Sequence, residues 1–163
     1  MTAILFVCFA NRFRSPLAAA FFSQSLEKVA DPESWSVSSA GTWTENGLPA
    51  DIRAIQDANE WGLDIKAHRS RQVDAQILSQ NNLILVMETG QKEALRIEFS
   101  RESKKIFLLS EVVDSSAYDI PDPFGGTGIP HKEVATELHA LIERGFTKIY
   151  NAALNSEKRI FLV

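Results

Sequence analysis

Short apolar runs, separated by segments with helical periodicity, limit the folds open to this sequence more than any other feature. Residues 3–7 and 83–87 are continuous apolar runs, and residues 35–39 and 105–109 also have the character of short strands. A run without polar alternation is typical of a strand that is covered on both faces. Strands that alternate with helices predict a parallel sheet. We therefore expect an α/β, three-layer fold with a four-stranded parallel sheet and helices on both faces.

The helices are predicted from start signals and apolar spacing. Ser15 and Pro16 are typical of a helix start, with serine as the cap and proline at the first helical position. Apolar residues then continue at helical spacing as far as Val29. Ile52 lies on the expected apolar face of the second helix, and Gly62 is a natural stop after it. The helices after the first are expected over residues 50–61, 73–79, 91–99 and 134–149, with a loop over 114–130.

The composition predicts a one-domain protein without nucleic-acid or membrane partners, and it makes no prediction about oligomeric state. The 163 residues contain no repeat, low-complexity tract or linker, so we expect one domain over residues 1–163. The net charge of −4 argues against binding to nucleic acid or to an anionic membrane. The apolar run at residues 4–7 is far too short to cross a membrane. A single cysteine rules out an internal disulfide and fits a reducing, cytoplasmic location.

The segment after the first predicted strand carries the residues with the most distinctive chemistry. In open parallel sheets, ligands bind beyond the carboxyl ends of the strands, and Cys8 follows the first strand directly. A strand-loop-helix unit directs backbone N–H groups and a positive helix end at one point, which suits an anion and favours a thiolate. Arg14, six residues after Cys8, can fold across the loop mouth and bind two phosphoryl oxygens. Ser15 can donate its hydroxyl to the sulfur when a phosphocysteine breaks down.

A packing role is the alternative for this cysteine. A free cysteine after an apolar strand is more often a core residue than a catalyst. The run Arg14-Ser15-Pro16 at the right spacing, on a strand-to-helix turn, favours catalysis over packing.

The chain resembles the low-molecular-weight protein tyrosine phosphatase family across most of its length. The Cys-x5-Arg-Ser-Pro motif that begins at Cys8 is similar to the family signature. Three further motifs follow in the family's order: Ser-Ala-Gly-Thr at residues 39–42, His-x-x-Arg-Gln at 68–72 and Asp-Pro-Phe-Gly at 122–125. The resemblance implies a flavodoxin-like sheet and hydrolysis of a phosphorylated protein or peptide through a phosphocysteine. It implies no metal and no cofactor, and His131 and His139 show no metal-ligand spacing.

The resemblance implies that Asp122 is the general acid. It would protonate the leaving oxygen when the phosphoryl group moves to Cys8, and would then act as base on the water that releases phosphate. An isolated Asp-Pro pair is more often a turn, and Asp119 is a second candidate, but the motif favours Asp122. Phe124 would line the mouth of the site and pack against an aromatic leaving group, with Trp43 as a second wall.

The loop after Cys8 is implied to cradle the phosphate. Asn11 suits such a loop because asparagine tolerates left-handed backbone angles. In the family this asparagine is held by a serine and a histidine, which correspond to Ser39 and His68. The remaining residues of the cradle are Phe9, Ala10, Arg12, Phe13 and Ser15.

Three positions of this loop depart from the family pattern. Ala10 stands where the family usually has glycine, and Phe13 where it often has a second cysteine. Arg12 occupies a position that is commonly apolar in the tyrosine phosphatases and threonine in the related protein-arginine phosphatases, and we expect its guanidinium to point into solvent. Phe124 also matches the arginine-phosphatase branch. The absent threonine and the aromatic Trp43 favour phosphotyrosine, with protein-arginine phosphatase as the alternative.

Two functions of other classes fit the same loop. Arsenate reductases share the scaffold but need further thiols, so with one cysteine this chain would depend on an external thiol donor. A non-catalytic phospho-binding module would keep the anion cradle but lose the nucleophile or the acid. Because both Cys8 and Asp122 are present, the sequence favours a phosphatase.

Overall fold

Four parallel strands form one sheet in the order β2-β1-β3-β4. The computed structural model describes residues 1–160, with the side chains of residues 1–156. The strands are β1 (Thr2–Cys8), β2 (Trp35–Gly41), β3 (Leu83–Val86) and β4 (Ile106–Leu108). Each lies within two residues of its predicted position.

The order of the strands reverses at β1, in the middle of the sheet. Strand β1 pairs with β2 from Thr2 to Cys8, and with β3 on its other side from Ile4 onward. The connections that leave β1 and β2 therefore run to opposite sides of the first strand. This is the switch point at which open α/β sheets bind their ligands, and Cys8 is the last residue of the strand there.

Helices cover both faces of the sheet. Helices α1 (Arg14–Leu26), α2 (Ile52–Glu60), α5 (Leu109–Asp114) and α6 (His131–Ile160) pack on one face, and α3 (Ala75–Ser79) and α4 (Thr89–Glu98) cover the other. The α/β class and the three-layer arrangement predicted from the sequence are confirmed. Among the described residues, no helix is long and apolar enough to cross a membrane.

The two-sided covering explains why β1 is apolar from Ala3 to Val7. Successive side chains of a strand point to opposite faces. Ile4 and Phe6 pack with the α1 and α6 layer, whereas Leu5 and Val7 pack with the α3 and α4 layer. All four side chains are fully buried, so none of these four positions favours a polar residue.

Helix boundaries depart from the prediction at α1. Phe13 is the N-cap residue and Ser15 lies inside the first turn, so the predicted serine cap is wrong. The Ser15 hydroxyl bonds to the cysteine thiol instead. The helix ends at Leu26 rather than at Val29, which is exposed to solvent.

The buried face of α2 and the existence of α5 also differ from the prediction. Ile52 is 63% exposed, and the buried face of α2 is made of Ala54, Asp57 and Ala58. Helix α5 has only 6 residues and follows β4 without a break, so it is too short to show a helical period.

Candidate active site

Cys8 lies at the base of the loop that joins β1 to α1, which we call the anion loop (residues 8–15). The side chain is 2% exposed, and its Sγ lies 3.0 Å from Ser15 Oγ. A short strand-to-helix connection brings the first turn of α1 over the end of β1, so the thiol and the hydroxyl meet although they are seven positions apart. The hydroxyl is therefore placed to donate to a thiolate.

Asn11 fixes the shape of the anion loop. Its backbone is left-handed, with φ of 56°. Its amide Nδ2 donates to Ser15 Oγ and to Ser39 Oγ, both at 2.9 Å, and its Oδ1 accepts from the Arg71 backbone N–H at 2.9 Å. All three of these hydrogen bonds from the buried amide go to residues that frame the loop. The network holds Ser15 toward the thiol.

His68 supports the same residue from the other side. Its Nε2 lies 2.7 Å from the Asn11 carbonyl oxygen. Burial lowers the pKa of His68 most, and the nearby Arg69 and Arg71 lower it further, while the bond to Asn11 opposes them. A neutral ring donates this bond through Nε2–H, because a carbonyl oxygen can only accept. Both expected supporting residues, Ser39 and His68, thus contact Asn11.

Two residues outside the expected set also shape the loop. Arg71 holds Asn11 through its backbone, and its guanidinium donates to the Ser39 carbonyl at 3.3 and 3.2 Å. Gly41, the partner of Cys8 in β2, lies against the loop backbone, and a Cβ there would approach the Phe9 carbonyl oxygen to 2.7 Å. Only glycine fits this close approach. Gly41 lies in the motif at residues 39–42 and Arg71 in the motif at 68–72, so these motifs were the sequence signal that could have identified both residues.

Arg14 is the buried cation of the site. Its Nη1 pairs with Glu88 Oε1 and donates to the Ile120 carbonyl at 2.8 Å. Its Nη2 lies 3.5 Å from Asp122 Oδ2. Sequence reasoning missed Glu88, although it follows β3 at the same edge of the sheet as Cys8. These partners hold the guanidinium rigidly across the loop.

Asp122 lines the same cavity as Cys8, and the cavity has a volume of about 330 Å³. The cavity is lined by the anion loop together with Asp51, Arg53, Asp122 and Phe124. Asp122 Oδ1 accepts the Phe124 backbone N–H at 2.9 Å, which orients the carboxylate. The alternative acid, Asp119, instead accepts from the Thr89 N–H and hydroxyl at 2.7 and 2.9 Å, at the start of α4. The structure thus favours Asp122, which lines the same cavity as Cys8, over Asp119, which does not line it.

The cavity mouth combines aromatic and cationic side chains. Phe13 is buried and packs edge-on against Phe124, with ring centroids 5.2 Å apart. The guanidinium of Arg53 lies 4.0 Å above the Phe124 ring and is held by Asp51. Arg12 is half-buried and its Nε donates to the Pro49 carbonyl at 2.9 Å, so the expectation that it points freely into solvent is wrong.

Trp43 lies beside the site but does not line this cavity. Its backbone N–H donates to the Phe9 carbonyl at 3.0 Å, and its side chain is 74% exposed. Ala10 lines the cavity, where its methyl group takes the place of a glycine hydrogen. A role for Trp43 as a substrate wall stays a prediction.

A thiol beneath an anion loop, a rigid arginine across it and a carboxylic acid at its mouth define a cysteine-dependent phosphatase on a flavodoxin-like fold. The family model described as "Low molecular weight phosphotyrosine protein phosphatase" matches residues 3–159. The chain belongs to this family. The predictions of family and of enzyme class are confirmed, and the substrates of such an enzyme are phosphorylated.

Relatives of both substrate branches are similar to the chain. The "Probable low molecular weight protein-tyrosine-phosphatase EpsP" of Ralstonia nicotianae is 37% identical over 121 residues, which cover 74% of this chain and 77% of the relative. The "Protein-arginine-phosphatase" of Geobacillus stearothermophilus is 36% identical over 142 residues, 86% of this chain and 91% of the relative. The solved structure of YwlE arginine phosphatase from Geobacillus stearothermophilus superposes with a TM-score of 0.82 at 32% identity, covering 95% of this chain and 97% of that one.

The left-handed backbone of Asn11 gives a testable prediction about stability. Both Asn11→Gly and Asn11→Ala remove the side-chain hydrogen bonds, so both should lower the free energy of unfolding by about 2 to 4 kcal/mol. Alanine should be the worse of the two by about 1 kcal/mol, because its Cβ is strained at positive φ. Urea denaturation of the two variants measures the difference. Equal stabilities would contradict the strained geometry.

Proposed function

We propose that this protein hydrolyses phosphotyrosine in proteins through a phosphocysteine formed on Cys8. The observation that carries the proposal is the arrangement of three groups around one cavity: Cys8 at its base with Ser15 at 3.0 Å, Arg14 across the loop and Asp122 at the mouth. This set supplies a nucleophile, a phosphoryl clamp and a proton donor without any further group.

The reaction divides into two displacements at phosphorus. In the first, the Cys8 thiolate forms the S–P bond while the P–O bond to the tyrosine breaks, and Asp122 gives its proton to the departing phenoxide oxygen. In the second, the Asp122 carboxylate takes a proton from a water whose oxygen attacks phosphorus, and the S–P bond breaks. The Ser15 hydroxyl stabilises the departing thiolate by a hydrogen bond. Inorganic phosphate is the product.

The walls of the cavity support an aromatic substrate side chain. Phe124 lines the cavity and is 43% exposed, beside the buried Phe13, and a phenyl ring packs well against such an aromatic edge. Arg12 and Arg53 also line the cavity, which with Arg14 holds three arginines and has two carboxylates, Asp51 and Asp122. Two guanidinium groups at the mouth disfavour a substrate that carries a guanidinium of its own. This charge balance supports phosphotyrosine over phosphoarginine.

Protein-arginine phosphatase is the second candidate. It is supported by the similarity to YwlE over nearly the whole chain and by the aromatic Phe124 in the acid motif, which matches that branch. The two candidates use the same nucleophile and clamp, so they differ only in the leaving group.

A paired peptide assay separates the candidates. Purified protein is incubated with chelator and with one peptide sequence carrying either phosphotyrosine or phosphoarginine, and released phosphate is measured. We expect kcat/KM for phosphotyrosine to be at least about tenfold higher, the scale of a modest difference in side-chain fit. The opposite preference would assign the protein to the arginine branch. Release of phosphate from neither peptide, with arsenate consumed in the presence of an added thiol, would instead indicate a reductase.

A further inference from the structure

We propose that Asp57 and His131 are positioning residues for the general acid, and that they act through Phe13. We define the acid loop as residues 115–130, between α5 and α6. The proposal concerns the second half of this loop. It rests on the proposed function, because it assigns a role in the delivery of the Asp122 proton.

Asp57 is a buried carboxylate in an otherwise apolar helix face. It is 2% exposed and lies between Ala54 and Ala58, which are fully buried. Its Oδ2 lies 2.7 Å from His131 Nδ1, a pair that joins α2 to the first residue of α6. A carboxylate oxygen accepts, so Nδ1 carries the hydrogen. Burying such a group is unfavourable unless it is bonded, and the bond sets the position of the imidazole ring.

The imidazole ring supports the anion loop from the side. His131 meets the Phe13 ring edge-on, with centroids 6.1 Å apart and an interplanar angle of 82°. Phe13 also meets the Phe124 ring, with centroids 5.2 Å apart and an interplanar angle of 89°. Phe13 therefore contacts two rings near the acid: Phe124 within the loop and His131 at the first position of α6.

The contacts of Phe13 with these rings affect the position of the Asp122 carboxylate. Phe124 donates its backbone N–H to Asp122 Oδ1 at 2.9 Å, so a shift of Phe124 moves the acid. Beyond Phe124, Gly126 and Gly128 have positive φ angles of 80° and 72°, and residues 124–128 are exposed. Apart from Phe124, which contacts Phe13 and Arg53, this segment has little packing, so the contacts of Phe124 strongly affect where it lies.

The first half of the loop is held independently. The Ile120 N–H donates to the Met87 carbonyl at 2.9 Å, and the Ile120 carbonyl accepts from Arg14 at 2.8 Å. Loss of the Asp57–His131 bond should therefore leave Cys8 and Arg14 in place. What changes is the alignment of Asp122 with the leaving oxygen.

The test measures the dependence of rate on the leaving group. The values compared are kcat/KM for phenyl phosphate, which needs the acid, and for p-nitrophenyl phosphate, whose leaving group departs without a proton. His131→Ala should lower kcat/KM for phenyl phosphate by about 10- to 100-fold, the effect of a small misplacement of a catalytic group. For p-nitrophenyl phosphate it should fall by less than about threefold. Asp57→Ala should show the same pattern, and the double variant should be no worse than either single one.

His139→Ala is the matched control. This second histidine of α6 stacks on Trp61 at 4.9 Å and packs edge-on against Phe21, away from the anion loop. The His139→Ala substitution should change kcat/KM for the two substrates equally and by less than about twofold. An alanine variant that does not unfold cooperatively is replaced in the test by Asp57→Asn. For Asp57→Asn we expect a selective fall of about threefold or more in kcat/KM for phenyl phosphate.

Each result decides the proposal. An equal loss on both substrates, no loss, or additive effects in the double variant would overturn it while leaving the phosphatase intact. A wild-type protein inactive on both substrates would overturn the proposed function as well. The two failures are therefore distinguishable.

Discussion

Serine in place of Cys8 is expected to lower kcat by at least about 10⁴-fold, because a serine hydroxyl is a far weaker nucleophile than a thiolate. The substitution keeps a side chain of similar size beside Ser15 and leaves the loop N–H groups and Arg14 unchanged. Inorganic phosphate should thus still bind, with a Kd within about tenfold of that of the wild type. Phosphate release from a phosphotyrosine peptide and isothermal titration with phosphate measure the two effects.

The control for this variant is Cys8→Ala, which removes both the nucleophile and the hydrogen bond to Ser15. Any activity of Cys8→Ser above that of Cys8→Ala belongs to the serine hydroxyl. Activity of Cys8→Ser within about tenfold of the wild type would end the assignment of Cys8 as the nucleophile.

Asp122→Asn has the second largest expected effect, a fall of about 10²- to 10³-fold in kcat/KM for phenyl phosphate. Asparagine keeps the shape of the side chain and an oxygen that can accept the Phe124 N–H, but it has no proton to give. The fall for p-nitrophenyl phosphate should be less than about tenfold, since its leaving group needs no acid. The kcat for both substrates should fall, because the carboxylate is also the base in the second displacement.

Asp119→Asn is the matched control for the acid. This neighbouring carboxylate bonds to Thr89, and its substitution should leave the ratio of the two kcat/KM values unchanged within about twofold. A leaving-group effect that appears in Asp119→Asn and not in Asp122→Asn would exchange the roles of the two residues. That result would also remove the basis for a positioning role of His131.

Much of the fold was predictable because its signals are local. The apolar runs within β1 and β3 are covered on both faces, so they show no alternation of apolar and polar residues. The boundaries of α1 were not predictable, since Phe13 caps it without a side-chain bond and Ser15 is used by the thiol. Helix α5 was missed because its 6 residues are fewer than two helical turns, which is too short for a helical spacing of apolar residues to be seen.

The residues of the anion loop were recognisable for a related reason. Cys8, Asn11, Arg14 and Ser15 lie within eight consecutive positions, so a single strand-to-helix turn is enough to bring them close together. The chemistry of a thiol, an anion cradle and a guanidinium then follows from residue types alone.

What the sequence established by itself was the local unit: a buried strand, a cysteine and an arginine at fixed spacing. Only the tertiary structure placed Glu88 on Arg14 and Asp57 on His131, both pairs 74 positions apart. Such meetings depend on the strand order and on the packing of α2 against α6, which short-range spacing does not encode. The reason is physical: a side chain's rotamer and local turn follow from its neighbours in sequence, whereas its distant partners are determined by how the whole chain packs.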